Sequence, residues 1–324
     1  MAIRTTSAGA YPKPPDEGQT FVLRKTLQAM DRGEATQRDV QKAVEDLSRQ
    51  MIEEQQTAGI DLVTHGHPGW EDILTPFARH IGGFEIGGLL RWFDNNVYYR
   101  RPVSVGRIEW RGPSSVDAFK FAGSVATKPV KAVIPGPITF ARLSIDEYYS
   151  DHDKFVLAIA KVLAQEAFEL EASGAETIQI DEPALLEAPE DLALAREAVG
   201  IVTGELKSAT TILATYFGDG KRLGAELFDL PVDGFALDFV AGPENLELVK
   251  QFPNDKILQA GIVDARNTKL ETVEDLVKQT ETLLQSVDAD RLWLAPSASL
   301  EFLPREKARA KLERLAEAAG KVGA

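Results

Sequence analysis

Eight short apolar runs, each giving way to proline, glycine or a polar residue, punctuate this chain. They are Ile3–Ala8, Ile60–Thr64, Lys131–Ile134, Thr177–Asp181, Thr210–Tyr216, Gly234–Asp238, Ile257–Ile262 and Arg291–Leu294. Their length and their β-branched and aliphatic content read as buried strands. Helical periodicity fills most of the gaps. Ala35–Ala58 puts Val40, Ala43, Val44, Leu47, Met51 and Ile52 on one face. His152–Ser173 does the same with Phe155, Ile159, Val162, Leu163, Ala167 and Leu170, and Gly59 and Gly174 stop these two helices. Further helices are expected over Asp191–Leu206, Val273–Val287 and Pro304–Ala319. Strands that alternate with helices build right-handed βαβ units around a parallel sheet. Eight such units in 324 residues predict an α/β fold, a closed (β/α)8 TIM barrel occupying residues 1–324 as one domain. An open doubly wound sheet is the competing arrangement. It is disfavoured because Gly9 stands alone after the first run and neither GxGxxG nor a P-loop occurs.

One stretch breaks the alternation. Trp70–Trp110, after strand two, is rich in Gly, Arg and aromatics and has no clean period. It reads as an irregular insertion with an added hairpin near Val103–Trp110, and loops of that size are usually functional. Arg91, Arg100 and Arg101 bracket Asp94-Asn95-Asn96 amid Trp92, Phe93, Tyr98 and Tyr99. Two readings fit: solvated charge beside a satellite aromatic cluster, or a lid over an anionic or planar substrate.

The strand ends locate the chemistry. In a parallel barrel the residues just past the strands share one rim, where ligands bind. That rim collects His65 and His67, Asp181 and Glu182, Tyr216 and Asp219, Asp238, Asp264 with Arg266 and Asn267, and Ser297. Asp181 and Glu182 end a strand abruptly before Pro183, which cannot donate to a ladder. They read either as a cap for the next helix or as part of a site. His65 and His67 flank Gly66 at a spacing that suits a metal, an anion or a plain polar rim.

Composition removes several alternatives. The chain has no cysteine, so disulfides, thiolate nucleophiles and thiolate zinc sites are excluded. A net charge of −14 argues against nucleic acid or an anionic membrane as partner. No GxSxG motif occurs. Neither a signal-peptide pattern nor a long uncharged apolar run is present, so a cytoplasmic location is expected.

QIDEPAL, PGPITF, ATYFGD, GIVDARN and LWLAPSASL, in this order, together resemble the cobalamin-independent methionine synthase family, and Ser7–Pro12 resembles its opening loop. The resemblance spans nearly the whole chain. It implies a (β/α)8 barrel, one where full-length members carry two, and ATYFGD and GIVDARN look more like the non-catalytic N-terminal barrel. In the catalytic barrel of the family a zinc ion activates the homocysteine thiol. A histidine and a cysteine after strand five, a glutamate after strand six and a cysteine after strand eight hold it. Here Ala214, Tyr216, Asp238 and Ala298 stand at or near those positions. One carboxylate cannot make the usual four-coordinate site, so zinc is doubtful and no metal ligand is assigned.

The resemblance implies methyl transfer from methyltetrahydrofolate or a methylcorrinoid such as methylcobalamin to homocysteine or a similar thiol. Asp181 and Glu182 would hold the substrate ammonium group. Asp264, Arg266, Asn267, Ser297 and Arg100 are further binding candidates, and His65, His67, Asp238 and Tyr216 are candidates to replace the metal. A second reading is a non-catalytic barrel that binds the donor or docks on a zinc-containing homologue or a corrinoid protein. A third is a lyase or other transferase in which Asp181, Glu182 and a histidine move protons.

Overall fold

The computed structural model describes residues 3–322. Ten strands occur among them: β1 (Arg4–Thr5), β2 (Gly82–Arg91), β3 (Tyr98–Glu109), β4 (Ala132–Pro135), β5 (Ile145–Asp146), β6 (Thr177–Asp181), β7 (Thr210–Thr215), β8 (Gly234–Asp238), β9 (Ile257–Val263) and β10 (Leu292–Pro296). Seven of them form a parallel sheet in the order β1-β10-β9-β8-β7-β6-β4. The remaining gap is filled by residues 62 and 63. Leu62 bridges to Thr6 and Val63 to Val130, both parallel, which closes the ring as the eighth stave. The barrel expected from the eight runs is therefore present. β4, β6, β8 and β10 are buried along their whole length, as strands covered on both faces must be.

The helices wrap this ring. Gln37–Thr57 starts at a reciprocal capping box between Thr36 and Asp39 and buries Val40, Ala43, Leu47, Met51 and Ile52. His152–Ala172 is capped by the Asp151 carboxylate, which accepts from the Lys154 amide. Leu192–Thr203, Val273–Leu283 and Arg305–Val322 lie within a few residues of their expected bounds. Val22–Asp31, Val116–Val125 and the short Thr75–His80 and Pro137–Arg142 are helices that periodicity did not reveal.

Two strands depart from expectation. The first shrinks to Arg4–Thr5 plus the Thr6 bridge, and the second to its two bridges. A buried side chain explains the second. Gln55 Oε1 accepts from the Thr64 amide at 3.0 Å, and Gln55 Nε2 donates to the Thr64 carbonyl at 2.9 Å. The amide of Gln55 thus stands where a neighbouring strand would pair.

The insertion after the second stave is ordered rather than irregular. β2 and β3 form an antiparallel hairpin, larger than the one expected at Val103–Trp110, and β5 adds to β3 in parallel. The glycines of GGFEIGG break the period-2 pattern, and the register shifts twice there. No helix among the described residues is long and apolar enough to cross a membrane.

Candidate active site

A polar chain runs up the inside of the barrel. Lys131, at the base of β4, is fully buried, and its ammonium donates to Gln179 Oε1 at 2.7 Å and Gln259 Oε1 at 2.9 Å. Gln179 Nε2 in turn donates to Asp181 Oδ1 at 2.7 Å and to the Ala8 carbonyl at 2.8 Å. The Tyr216 hydroxyl donates to Asp181 Oδ2 at 3.2 Å. Lys131, Gln179 and Asp181 therefore form one buried column, with Lys131 the cation that faces the Asp181 carboxylate across an amide.

Burial pushes the Asp181 carboxyl up to about 7 against the pull of Gln179, Lys131 and Tyr216. Burial also lowers Lys131 to about 7, with the Asp181 charge opposing it. The Tyr216 hydroxyl is held well above its usual range by burial and the Asp181 carboxylate, so it stays a donor.

Asp181 opens onto a cavity of about 380 Å³ at the C-terminal mouth of the barrel. Its walls are aromatic and acidic: Trp70, Trp92, Tyr98, Phe217 and Phe302, with Asp72, Asp181 and Glu301. Trp92, Asn96, Val97 and Tyr98 come from the hairpin tip, so the insertion roofs the cavity. The arginines of the tip do not enter it. Arg91 holds the turn through the Asn95 carbonyl and Asn96, and Arg101 donates to the Ser144 carbonyl. Arg100 is exposed and lines neither cavity at the mouth. It shares the outward face of β3 with Tyr98, one rung further from the cavity, while Tyr99 between them is buried in the core.

His65 and His67 are buried, their rings 4.5 Å apart, and His67 stacks on Trp70 at 4.1 Å. Neither Nε2 has a hydrogen-bond partner. Burial lowers His65 to about 3 and holds His67 well below its usual value, so both are neutral. His67 lines the cavity. His67, Phe93 and Phe217 adopt positive φ, a strained state for side-chain-bearing residues, and all three surround the mouth.

Glu182 turns away from the cavity. Its oxygens accept from the Ile138 amide at 2.8 Å and the Thr139 amide at 2.7 Å, so it caps Pro137–Arg142, the helix beside it. Burial raises its carboxyl to about 7. Gly136 makes room for it, because a Cβ there would fall 2.1 Å from Glu182 Cδ. Gly136→Ala is therefore expected to cost about 2–4 kcal/mol by pushing a buried carboxylate off its donors. Denaturant unfolding checks this, and an unchanged midpoint would show that Glu182 is not what holds the helix.

Asp238 is likewise committed to the backbone. It accepts from the amides of Phe217 at 3.0 Å, Val240 at 2.9 Å and Ala241 at 2.8 Å. The other rim residues gather at an adjoining cavity of about 650 Å³, which Asp264, Arg266, Asn267 and Ser297 line with Glu301 and Phe302. Arg266 pairs with Asp94 of the hairpin tip at 2.8 Å and lies over Phe217 at 4.9 Å. Ser297 Oγ accepts from the Ala265 amide at 3.2 Å.

This arrangement has relatives. The family described as cobalamin-independent synthase, catalytic domain, matches residues 3–321. The chain belongs to the cobalamin-independent methionine synthase family. A methionine synthase of Saccharolobus solfataricus is 34% identical over 318 residues, covering 97% of this chain and 93% of that protein. One of Pyrococcus horikoshii is 31% identical, covering 98% and 91%. The solved structure of a B12-independent methionine synthase from a Shewanella species, in complex with selenomethionine, superposes with a TM-score of 0.86 at 24% identity. It covers 100% of this chain and 98% of that one. The match is to the catalytic domain, not to the N-terminal barrel that ATYFGD and GIVDARN resemble. Within the methionine synthase family a zinc site is implied, yet this chain's donors do not fit one. Ala214 and Ala298 offer no ligand atom, Tyr216 is spent on Asp181, and Asp238 is spent on three amides. Among the described residues no group of three His, Asp or Glu is arranged to hold a metal.

Sequence reasoning missed Lys131, Gln179, Gln259, Trp70 and Glu301 as site residues. Gln179 and Gln259 left a signal, a polar residue inside an apolar strand, and Gln179 lies two positions from Asp181 on the same face. Glu301 sits in an unremarkable SLEFLP and left none.

Proposed function

We propose that this protein methylates a thiol, homocysteine or a close analogue, with Asp181 in place of a metal as the group that frees the sulfur. The observation that carries the reading is the Asp181 carboxyl at the cavity floor, raised to about 7 and held by Gln179 and Tyr216. A thiol titrates near 8.5, so handing its proton to a group near 7 costs only about 2 kcal/mol. A histidine as depressed as His65 would cost about 7 kcal/mol by the same arithmetic. Asp181 therefore fits the proton-accepting role, and His67, neutral and with a free Nε2, fits a hydrogen-bonding one. Tyr216 and the Gln179 amide keep the carboxylate in one orientation. Glu182, Asp238 and Ser297 support the loops, and Asp264, Arg266 and Asn267 line the second cavity, where a larger substrate or donor could extend. The selenomethionine bound by the Shewanella relative supports a methionine-sized ligand.

The test is methionine formation from homocysteine, read by mass spectrometry, with methyltetrahydrofolate, methylcobalamin and a sulfonium donor each supplied in turn. The protein's zinc content is measured alongside. Methionine with at least one donor, and far less than one zinc per chain, is the expected result. Silence with every donor would overturn the methyl-transfer reading. Stoichiometric zinc would overturn the role given to Asp181.

A further inference from the structure

The proposed reaction brings two ligands together, and the mouth of the barrel offers two cavities. Asn96, Val97, Glu301 and Phe302 line both the 380 Å³ space above Asp181 and the adjoining 650 Å³ space, so they form the wall the two share. A methyl group held on one side reaches a thiol on the other only if that wall moves. Half of it is fixed. Glu301 and Phe302 sit on the turn after β10, which the Leu300 amide ties to the Ala10 carbonyl at 3.1 Å. The other half, Asn96 and Val97, is the tip of the β2–β3 hairpin, and it holds together by itself. The Trp92 amide donates to the Val97 carbonyl at 2.9 Å, and the Asn95 amide donates back to the Trp92 carbonyl at 3.1 Å. Arg91 donates to the Asn95 carbonyl and to Asn96 Oδ1. The stem of the hairpin is fastened to the barrel through the Tyr99 hydroxyl, the Arg100 amide and the Arg101 guanidinium, which donate to Leu143, Asp72 and Ser144. The tip is not. Among the described residues one polar contact joins residues 92–98 to the barrel, the 2.8 Å pair of Arg266 with Asp94. The Asp94 side chain is 76% exposed, so this pair is weak and readily exchanged for water. Beneath it Arg266 lies over the Phe217 ring, and Phe93 packs on that ring at 5.5 Å. Phe93 and Phe217 both carry positive φ, so backbone strain collects at this one contact. A compact tip on a fastened stem, held by one exposed ion pair, belongs to the low-stability end of the fold.

Resting on the thiol-methylating reading, we propose that residues 92–98 are a gate in the shared wall, latched by Arg266 and Asp94, whose opening joins the two cavities into one space. The same tip roofs the cavity above Asp181. One motion therefore admits a ligand to Asp181 and connects it with its neighbour. Arg266 is a positioning residue in this scheme: it sets how often the tip lifts.

Two measurements on the whole protein test the latch and the gate separately. Hydrogen–deuterium exchange needs no turnover. In Asp94→Asn the amides of residues 92–98 are expected to exchange about two- to fivefold faster, the range one exposed ion pair supports, while residues 99–109 keep the wild-type rate. Arg266→Gln should loosen the same segment at least as much, and the double variant no more than R266Q, because both substitutions break one link. An unchanged tip, or equal loosening of residues 99–109, would overturn the latch. The chain has no cysteine, so Asp94→Cys with Arg266→Cys supplies the only thiols. A short bis-methanethiosulfonate bridges them, and a reductant releases it. Methionine formation from homocysteine is expected to fall about tenfold or more in the bridged protein, as when a closing element is held still, and to return on reduction. Equal turnover before and after reduction would overturn the gate and leave thiol methylation standing. Silence of the reduced protein with every donor would sink the methyl-transfer reading and the gate with it, while the latch stands or falls on the exchange rates.

Discussion

Lys131→Met is expected to destabilise the protein by about 3–5 kcal/mol, lowering its melting temperature by roughly 10 °C. Methionine matches the volume of lysine, so packing is not the cause. The substitution removes the buried Lys131 ammonium and leaves Gln179 Oε1 without its 2.7 Å donor. It also removes the cation facing the Asp181 carboxylate, whose hydrogen-bond partners are an amide and a phenol. Breaking one member of a buried charge pair costs far more than the intact pair contributes. The proton balance changes as well. With Lys131 gone, the Asp181 carboxyl moves further up from about 7, and any activity that needs the carboxylate shifts to higher pH. Differential scanning calorimetry and a pH–rate profile check the two halves separately. Wild-type melting together with an unshifted profile would show that Lys131 is a bystander.

Asp181→Asn is expected to reduce turnover about 10²- to 10⁴-fold, the usual worth of a positioned proton acceptor. Asparagine keeps the size and can still accept from Gln179, so the cavity should hold. In the wild type, turnover should fall as pH drops through about 7, because the carboxylate is the working form. The variant should lose that dependence. Stability runs the opposite way. A carboxyl whose folded value is raised binds its proton more tightly when folded, so folding weakens as pH climbs from the ordinary carboxylate range toward 7. D181N should flatten that slope and match or exceed the wild type in stability near pH 8. Turnover and urea unfolding across pH 5 to 9 read both effects. Full activity in D181N would remove Asp181 from the chemistry.

Barrel strands declare themselves by hydrophobicity, since β4, β6, β8 and β10 must be buried on both faces, and seven of the eight expected runs are ladder strands at least in part. The second run shrank to two bridges, with Gln55, on a helix, taking both backbone bonds of Thr64, and no local pattern reports that. At the site, Asp181 and Tyr216 were legible from their place at strand ends. The parting of Glu182 from them was not. Adjacent residues on a strand point to opposite sides, so one carboxylate reaches the cavity while the other caps a helix. Arg100 failed by reach: it shares a face of β3 with Tyr98 but sits two residues further from the cavity. Lys131 was passed over because a lysine opening an apolar run looks like a solvated end, and only the closed ring turns it inward.

The two single rungs at Leu62 and Val63 have a consequence for the cavity. Everywhere else the staves are joined by continuous ladders, so the ring resists deformation. Here a few backbone bonds on either side do the joining, and beyond them Thr64 is held by the Gln55 side chain of the helix that buries Met51 and Ile52. The stave that follows this seam leads straight into His65 and His67. The floor that holds Asp181 is laddered on both sides, so a ligand entering the mouth meets a firm floor and, beside His65 and His67, a wall with fewer rungs.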